Sequence, residues 1–131
     1  MSAHHYFCDF AYCDSGMIPW LLVAELISKS GSSLGDLVRD CFTKFLSSGE
    51  INFRVDDAGG AIDRVLAAYS GGALSLDETD GVSLAFEDWR FNVRRSNTEP
   101  LVRLNVEGRG NATGLELRVE AIAQLLGGTR A

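Results

Sequence analysis

Between two stretches that alternate like strands, Trp89 to Val93 and Leu101 to Glu107, the chain reads Arg94-Arg95-Ser96-Asn97-Thr98-Glu99-Pro100. The insertion offers a planar guanidinium fork, two hydroxyls, an amide and a row of backbone N–H groups ahead of Pro100. Such donors suit a phosphate dianion: arginine binds it through parallel hydrogen bonds, and a turn of N–H groups forms an anion nest. Each charge-assisted hydrogen bond would contribute about 1.5–3 kcal/mol. Loops on rigid scaffolds carry binding groups, yet Ser, Asn and Thr are equally ordinary residues of a solvated hairpin tip. Residue types alone leave both readings open.

Other side chains with chemical potential are less organised. His4, His5, Cys8 and Cys13 could suggest a metal, but no CxxC pair or downstream cluster accompanies them, and zinc is disfavoured. Asp56, Asp57, Asp77, Glu78 and Asp80 read as solvated turn residues, and Trp20 and Trp89 as core. Arg95 reads as a rim residue, while Glu99 either orients Arg94 or is simply exposed.

The elements that must position the loop follow from periodicity. Residues 5–12 have aromatic strand character and end at "CDSG", where Asp14 or Ser15 can cap a helix carrying Pro19 in its first turn. That helix, from Met17 to Ile27, is apolar on nearly every side and so belongs in the middle of something larger. Ser33 with Asp36 resembles a capping box, and Leu34 to Phe45 show helical spacing. From Glu50 a second unit begins. Ile51, Phe53 and Val55 alternate as a strand, Ala58 to Tyr69 form an amphipathic helix, and Asp80-Gly81 favours a hairpin turn. Two more alternating strands flank the polar insertion, and Leu115 to Leu126 form a last helix closed by Gly127 and Gly128. The order from residue 50 is β-α-β-β-β-β-α: an α+β domain with a largely antiparallel four- to five-stranded sheet and two helices on one face. A strand-helix-helix remnant of an α/β domain precedes it.

The chain has 131 residues and a net charge of −6. That balance weighs against nucleic-acid and anionic-membrane partners, although Arg90, Arg94, Arg95 and Arg103 could form a local basic cluster. The odd count of three cysteines suits reduced thiols in a cytoplasmic protein. The start "MSAHHYFCDF" has no signal-peptide pattern, and "GMIPWLLVAELI" is too short to span a bilayer.

The segment "VRRSNTEP", taken with "SAHHYF" at the start and "YCDSGMIP" after it, resembles the C-terminal part of the bacterial phosphomannomutase/phosphoglucomutases, members of the α-D-phosphohexomutase family. The resemblance covers essentially the whole chain. The family's last domain carries a phosphate loop written R-x-S-N-T-x-P or R-x-S-G-T-E-P. This implies Arg94, Ser96, Asn97 and Thr98 as phosphate ligands ahead of Pro100, and Asn97 points to a hexose rather than a glucosamine substrate. The family's sugar loop, G-E-x-S-[GA]-H, is matched over its last four positions by "MSAH". Ser2 and His4 are thereby implied as sugar-site residues, His4 beside the substrate, and the Gly and Glu of that loop would precede Met1.

The same resemblance implies a TATA-box-binding-protein-like C-terminal domain at 49–131, and at 1–48 the end of the third, sugar-recognition domain. Family enzymes have four domains and exchange phosphate between C1 and C6 of a hexose through a hexose 1,6-bisphosphate. Their phosphoserine loop and their Mg²⁺ loop, D-G-D-x-D-R, lie in earlier domains, and neither pattern occurs here. The implied activity is an isomerase of phosphomannomutase type acting on mannose or glucose phosphates. This chain would clamp phosphate beside missing N-terminal domains and be inert alone. The alternative is a stand-alone anion-binding or interaction module without turnover.

Overall fold

The computed structural model describes residues 4–96, 98–109 and 112–131, and the side chains of all of these except Asp40 and Ala112. The chain divides into two compact units, one ending at Cys41 and the other spanning Phe42–Ala131.

In the first unit, strands β1 (Tyr6–Phe7) and β2 (Cys13–Asp14) pair antiparallel, with Tyr6 opposite Asp14. The aromatic strand expected over 5–12 is therefore a small hairpin. Ala11 and Tyr12 both take left-handed backbone, with φ of 52° and 57°, and reverse the chain so that Tyr12 N–H reaches the Phe7 carbonyl at 2.9 Å. Helix α1 (Met17–Ser30) follows; Ser15 Oγ accepts the Ile18 N–H at 3.3 Å and does the capping work. None of its side chains is buried, and Met17, Trp20, Leu21, Leu22 and Leu26 are exposed, so Trp20 is not a core residue here. Helix α2 (Leu34–Lys44), within which the division into units falls, begins at the expected cap: Ser33 Oγ accepts the Asp36 N–H at 3.2 Å and donates to its carboxylate at 2.6 Å.

The second unit is one antiparallel sheet. Its strands are β3 (Leu46–Arg54), β4 (Ser75–Asp77), β5 (Val82–Ala85), β6 (Trp89–Arg95), β7 (Leu101–Gly108) and β8 (Thr129–Arg130), in the order β4-β5-β6-β7-β3-β8. Six strands form instead of the four to five expected. The added one, β8, is two residues long and has no periodicity to read. It reaches the edge of β3 because Gly127, at φ 69°, turns the chain back, and Phe53 then pairs with Arg130. Helices α3 (Ala58–Tyr69) and α4 (Ala112–Leu126) contact each other and the sheet. The core between them holds Phe53, Val65, Phe91, Val93, Val102, Leu104, Val106, Ile122 and Leu126, all essentially excluded from water. Each such side chain contributes about 1.5–3 kcal/mol relative to exposure. Trp89 stacks on Phe86 at 4.4 Å and packs against the core, in keeping with a structural role. The α+β, TATA-box-binding-protein-like arrangement expected from the sequence is the one observed, with β8 added.

Strand β3 starts earlier than Ile51 and runs across residue 48. Its register against β7 slips by one residue between Ser47, opposite Glu107, and Glu50, opposite Asn105. Gly49 supplies the left-handed φ of 65° that this bulge needs. Ser48 Oγ then accepts the Val106 N–H at 2.9 Å, so the bulged backbone stays satisfied.

Candidate phosphate-binding site

Side chains alternate across a strand. Val93, Val102 and Leu104 face the helices, which puts Arg94 and Arg103 on the opposite, open face. The two arginines stand directly opposite each other in the β6–β7 register. Beyond them the loop folds on itself. Ser96 N–H donates to the Leu101 carbonyl at 2.8 Å, and Leu101 N–H donates to the Glu99 carbonyl at 2.8 Å across Pro100. Thr98 N–H donates to Ser96 Oγ at 3.4 Å, and the Ser96 and Thr98 hydroxyls lie 3.5 Å apart. Of the expected phosphate ligands, Arg94, Ser96 and Thr98 are thus brought to one end of the hairpin; Asn97 lies outside the described residues.

The charges around Arg94 are more ordered than the sequence suggests. Its Nη2 lies 3.2 Å from Glu50 Oε2 and its Nη1 lies 3.5 Å from Asp80 Oδ2. Arg103 Nη1 lies 3.4 Å from the other Glu50 oxygen, and its Nη2 donates to Ser96 Oγ at 3.3 Å. Both arginines are only about one-quarter exposed, at 25% and 27%. Glu99 reaches Arg103, at 3.9 Å, rather than Arg94. Asp80 is an exposed turn residue, as the sequence suggests, and in addition lies close enough to pair with Arg94. Arg90 leaves the basic cluster altogether, its Nε pairing with Glu107 at 2.7 Å. Arg95 points to the other face and lies, exposed, over the start of α3, away from the rim of the Arg94 site.

In the first unit, His4 Nδ1 and Asp14 Oδ2 are 2.6 Å apart, and Asp14 Oδ1 accepts the His5 N–H at 3.0 Å. The hydrogen bond from the His4 ring, helped by the His5 N–H, holds the Asp14 carboxyl below the usual aspartate range. With Nδ1 so engaged, Nε2 is the ring nitrogen left for a ligand. Ser2 lies outside the described residues. Among the described residues no three His, Cys, Asp or Glu side chains converge to hold a metal ion, so these residues do not fit a Mg²⁺ site.

Two family models match the chain. The family model described as phosphoglucomutase/phosphomannomutase, C-terminal domain, matches residues 50–125. The chain belongs to that family. A second model, phosphoglucomutase/phosphomannomutase alpha/beta/alpha domain III, matches residues 1–45. A phosphohexose mutase of Xanthomonas campestris pv. campestris (strain B100) is 62% identical over 98% of this chain and 29% of its own length. Phosphomannomutases of Salmonella montevideo and Escherichia coli (strain K12) are 61% and 58% identical, each over 96% of this chain and 28% of their own length. The chain therefore spans less than a third of the length of these relatives.

Proposed function

We propose that this chain is the C-terminal part of a phosphohexomutase that interconverts hexose 1-phosphate and hexose 6-phosphate, and that it clamps the phosphate not being transferred. The observation that carries the reading is the pair of hydroxyls, Ser96 and Thr98, 3.5 Å apart at the end of the β6–β7 hairpin that Arg94 leads into, in a family member. Ser96 Oγ is met by two donors, the Thr98 N–H and Arg103 Nη2. A hydroxyl surrounded by donors is set up as a ligand. Asn97 would complete the phosphate site, and Ser2 and His4 would meet the sugar, a mannose or glucose phosphate. Residues 1–48 would end the sugar-recognition domain and 49–131 form the phosphate-binding domain.

In the whole enzyme, Mg²⁺ would offset charge on the transferring phosphoryl group, held by segments outside this chain, with hexose 1,6-bisphosphate as the intermediate. The N-terminal domains of such an enzyme would be its necessary partners. The acidic balance speaks against nucleic acid, and the three free cysteines favour the reducing cytoplasm. Among the described residues no helix is long and apolar enough to cross a membrane.

A chimera tests the proposal. This chain replaces the matching segment of the Xanthomonas campestris relative, and hexose-phosphate interconversion is followed by a coupled assay. Activity that is retained by the chimera and lost on Arg94→Ala supports the reading. A folded chimera without activity, or one indifferent to Arg94→Ala, overturns it.

A further inference from the structure

Asp14 stands at the end of β2, and its two oxygens serve the two histidines ahead of β1. Oδ2 lies 2.6 Å from His4 Nδ1, and Oδ1 accepts the His5 N–H at 3.0 Å. The Ser15 N–H donates to the His5 carbonyl at 3.2 Å, and Ser15 Oγ caps α1, so the segment carrying the His4 ring is tied to a helix start. This arrangement decides where the ring proton sits. An ionised carboxylate only accepts hydrogen bonds, so a neutral His4 ring must carry its proton on Nδ1. Nε2 is then an acceptor. Among the described residues no hydrogen bond or ion pair engages it, and the side chain is 59% exposed, open to a ligand. A ring held in this tautomer takes a hydrogen bond from a hydroxyl at Nε2 and offers none there.

We propose that Asp14 is a positioning residue of the sugar site: it fixes the tautomer of His4 so that Nε2 accepts a hydrogen bond from a sugar hydroxyl. This rests on the reading of the chain as part of a phosphohexomutase in which His4 meets the sugar. Asparagine has the shape of Asp14 but cannot serve both histidines in the same way. The His5 N–H is a fixed donor, so the single amide oxygen must stay with it. The amide NH₂ then faces the ring, and only an unprotonated Nδ1 can receive it. The ring proton moves to Nε2, which turns from acceptor into donor. Asp14→Asn thus relocates one proton while the backbone contact that closes the hairpin is kept.

Two measurements test this. The first uses the ¹⁵N-labelled 131-residue chain at about pH 8, above the ordinary histidine value of about 6.5, where the ring nitrogens of His4 report the tautomer. Wild type should carry the proton on Nδ1 and Asp14→Asn on Nε2. A wild-type ring protonated on Nε2 overturns the inference. In the chimera, Asp14→Asn should lower kcat/KM for the hexose phosphate about tenfold, the worth of one hydrogen bond, with the urea midpoint unchanged. Added to His4→Ala, which removes the ring, it should cost nothing further, because both changes delete one interaction. A purely structural Asp14 would instead add its own loss to that of His4→Ala, and this result sinks the inference even if asparagine weakens the fold. An active chimera whose kinetics ignore Asp14→Asn overturns the positioning role and leaves the phosphate clamp standing. A folded wild-type chimera without activity overturns the phosphohexomutase reading and this inference with it.

Discussion

Gly81 lies against the base of Arg94: a Cβ placed on it would stand 2.4 Å from Arg94 Cβ and 2.5 Å from the Val93 carbonyl oxygen. Its φ is +77°, which side-chain-bearing residues rarely adopt. The turn between β4 and β5 is therefore pressed onto the strand that carries the arginine. Gly81→Ala should lower stability by about 1–3 kcal/mol through backbone strain and overpacking. It should also raise KM in the chimera, because the strand under Arg94 must shift. Denaturant midpoints and coupled kinetics check this; a variant normal in both would show that the turn and the site are independent.

Arg94 itself should be irreplaceable by a point charge. A fixed fork matches phosphate oxygens in pairs, whereas an ammonium does not. Arg94→Ala in the chimera should raise KM about ten- to a hundredfold, and Arg94→Lys should recover only part of the loss. Since holding the remote phosphate also orients the sugar, kcat/KM should fall as well. Full recovery by Lys would mean that charge alone matters at this position.

How much of this was readable beforehand depends on the range of the signal. Arg94, Ser96 and Thr98 sit within five residues of one another, and the strands that hold them alternate cleanly, so loop and hairpin were both visible. Glu50 was not, because its role depends on the Gly49 bulge, and hydrophobic periodicity does not register an extra residue. Arg103 was visible as a basic residue but not as the partner of Arg94, which needs the hairpin register. Asp80 is legible as an exposed turn residue, but its pairing with Arg94 is not, because the two are fourteen residues apart and are brought together by the fold. The hairpin at 6–14 is not legible in the sequence, because two non-glycine residues in left-handed backbone carry no compositional mark.

The start of β3 makes a prediction about autonomous folding. A fragment beginning at residue 49 keeps the core but loses the Leu46–Gly108 and Ser47–Glu107 pairings and the Ser48 hydroxyl on Val106 N–H. Fragments 42–131 and 49–131 should both fold cooperatively as monomers, with 49–131 less stable by about 1–3 kcal/mol, the cost of leaving a partly buried N–H unpaired. The full chain, with the apolar side chains of α1 exposed, should associate more than either. Size-exclusion and urea melts decide; an unfolded 49–131 would remove the proposed boundary after residue 48.

The His4–Asp14 contact predicts a pH signature with a definite sign. Asp14 has a depressed folded pKa, so the contact contributes stability above the ordinary aspartate value, about 3.9, and that contribution is lost as pH falls through the folded value. His4→Ala removes the largest cause and should move the Asp14 titration back up toward the ordinary value, though not completely, because the His5 N–H remains. Carboxyl-carbon NMR of Asp14 measures it. An Asp14 midpoint indifferent to His4→Ala would show that the ring is a bystander, and would weaken its claim to hold Nε2 toward a sugar.

The 131-residue chain by itself should show no mutase turnover. Phosphoryl transfer needs a nucleophile, a cation beside the transferring group and a positioned acceptor. Ser96 is a hydroxyl of the candidate phosphate loop, and its surroundings are wrong for attack. Arg103 Nη2 and the Thr98 N–H donate to its oxygen, and the Thr98 Oγ1 beside it is no base. A nucleophile must instead give up its proton to an acceptor. Phosphate binding should be weak too, since charges open to water interact far less than enclosed ones. A coupled assay with Mg²⁺ and hexose 1,6-bisphosphate should read no rate above buffer, while the chimera with the N-terminal domains restored turns over. A rate in the isolated chain that disappeared with Ser96→Ala would mean that this serine carries phosphate rather than holding it.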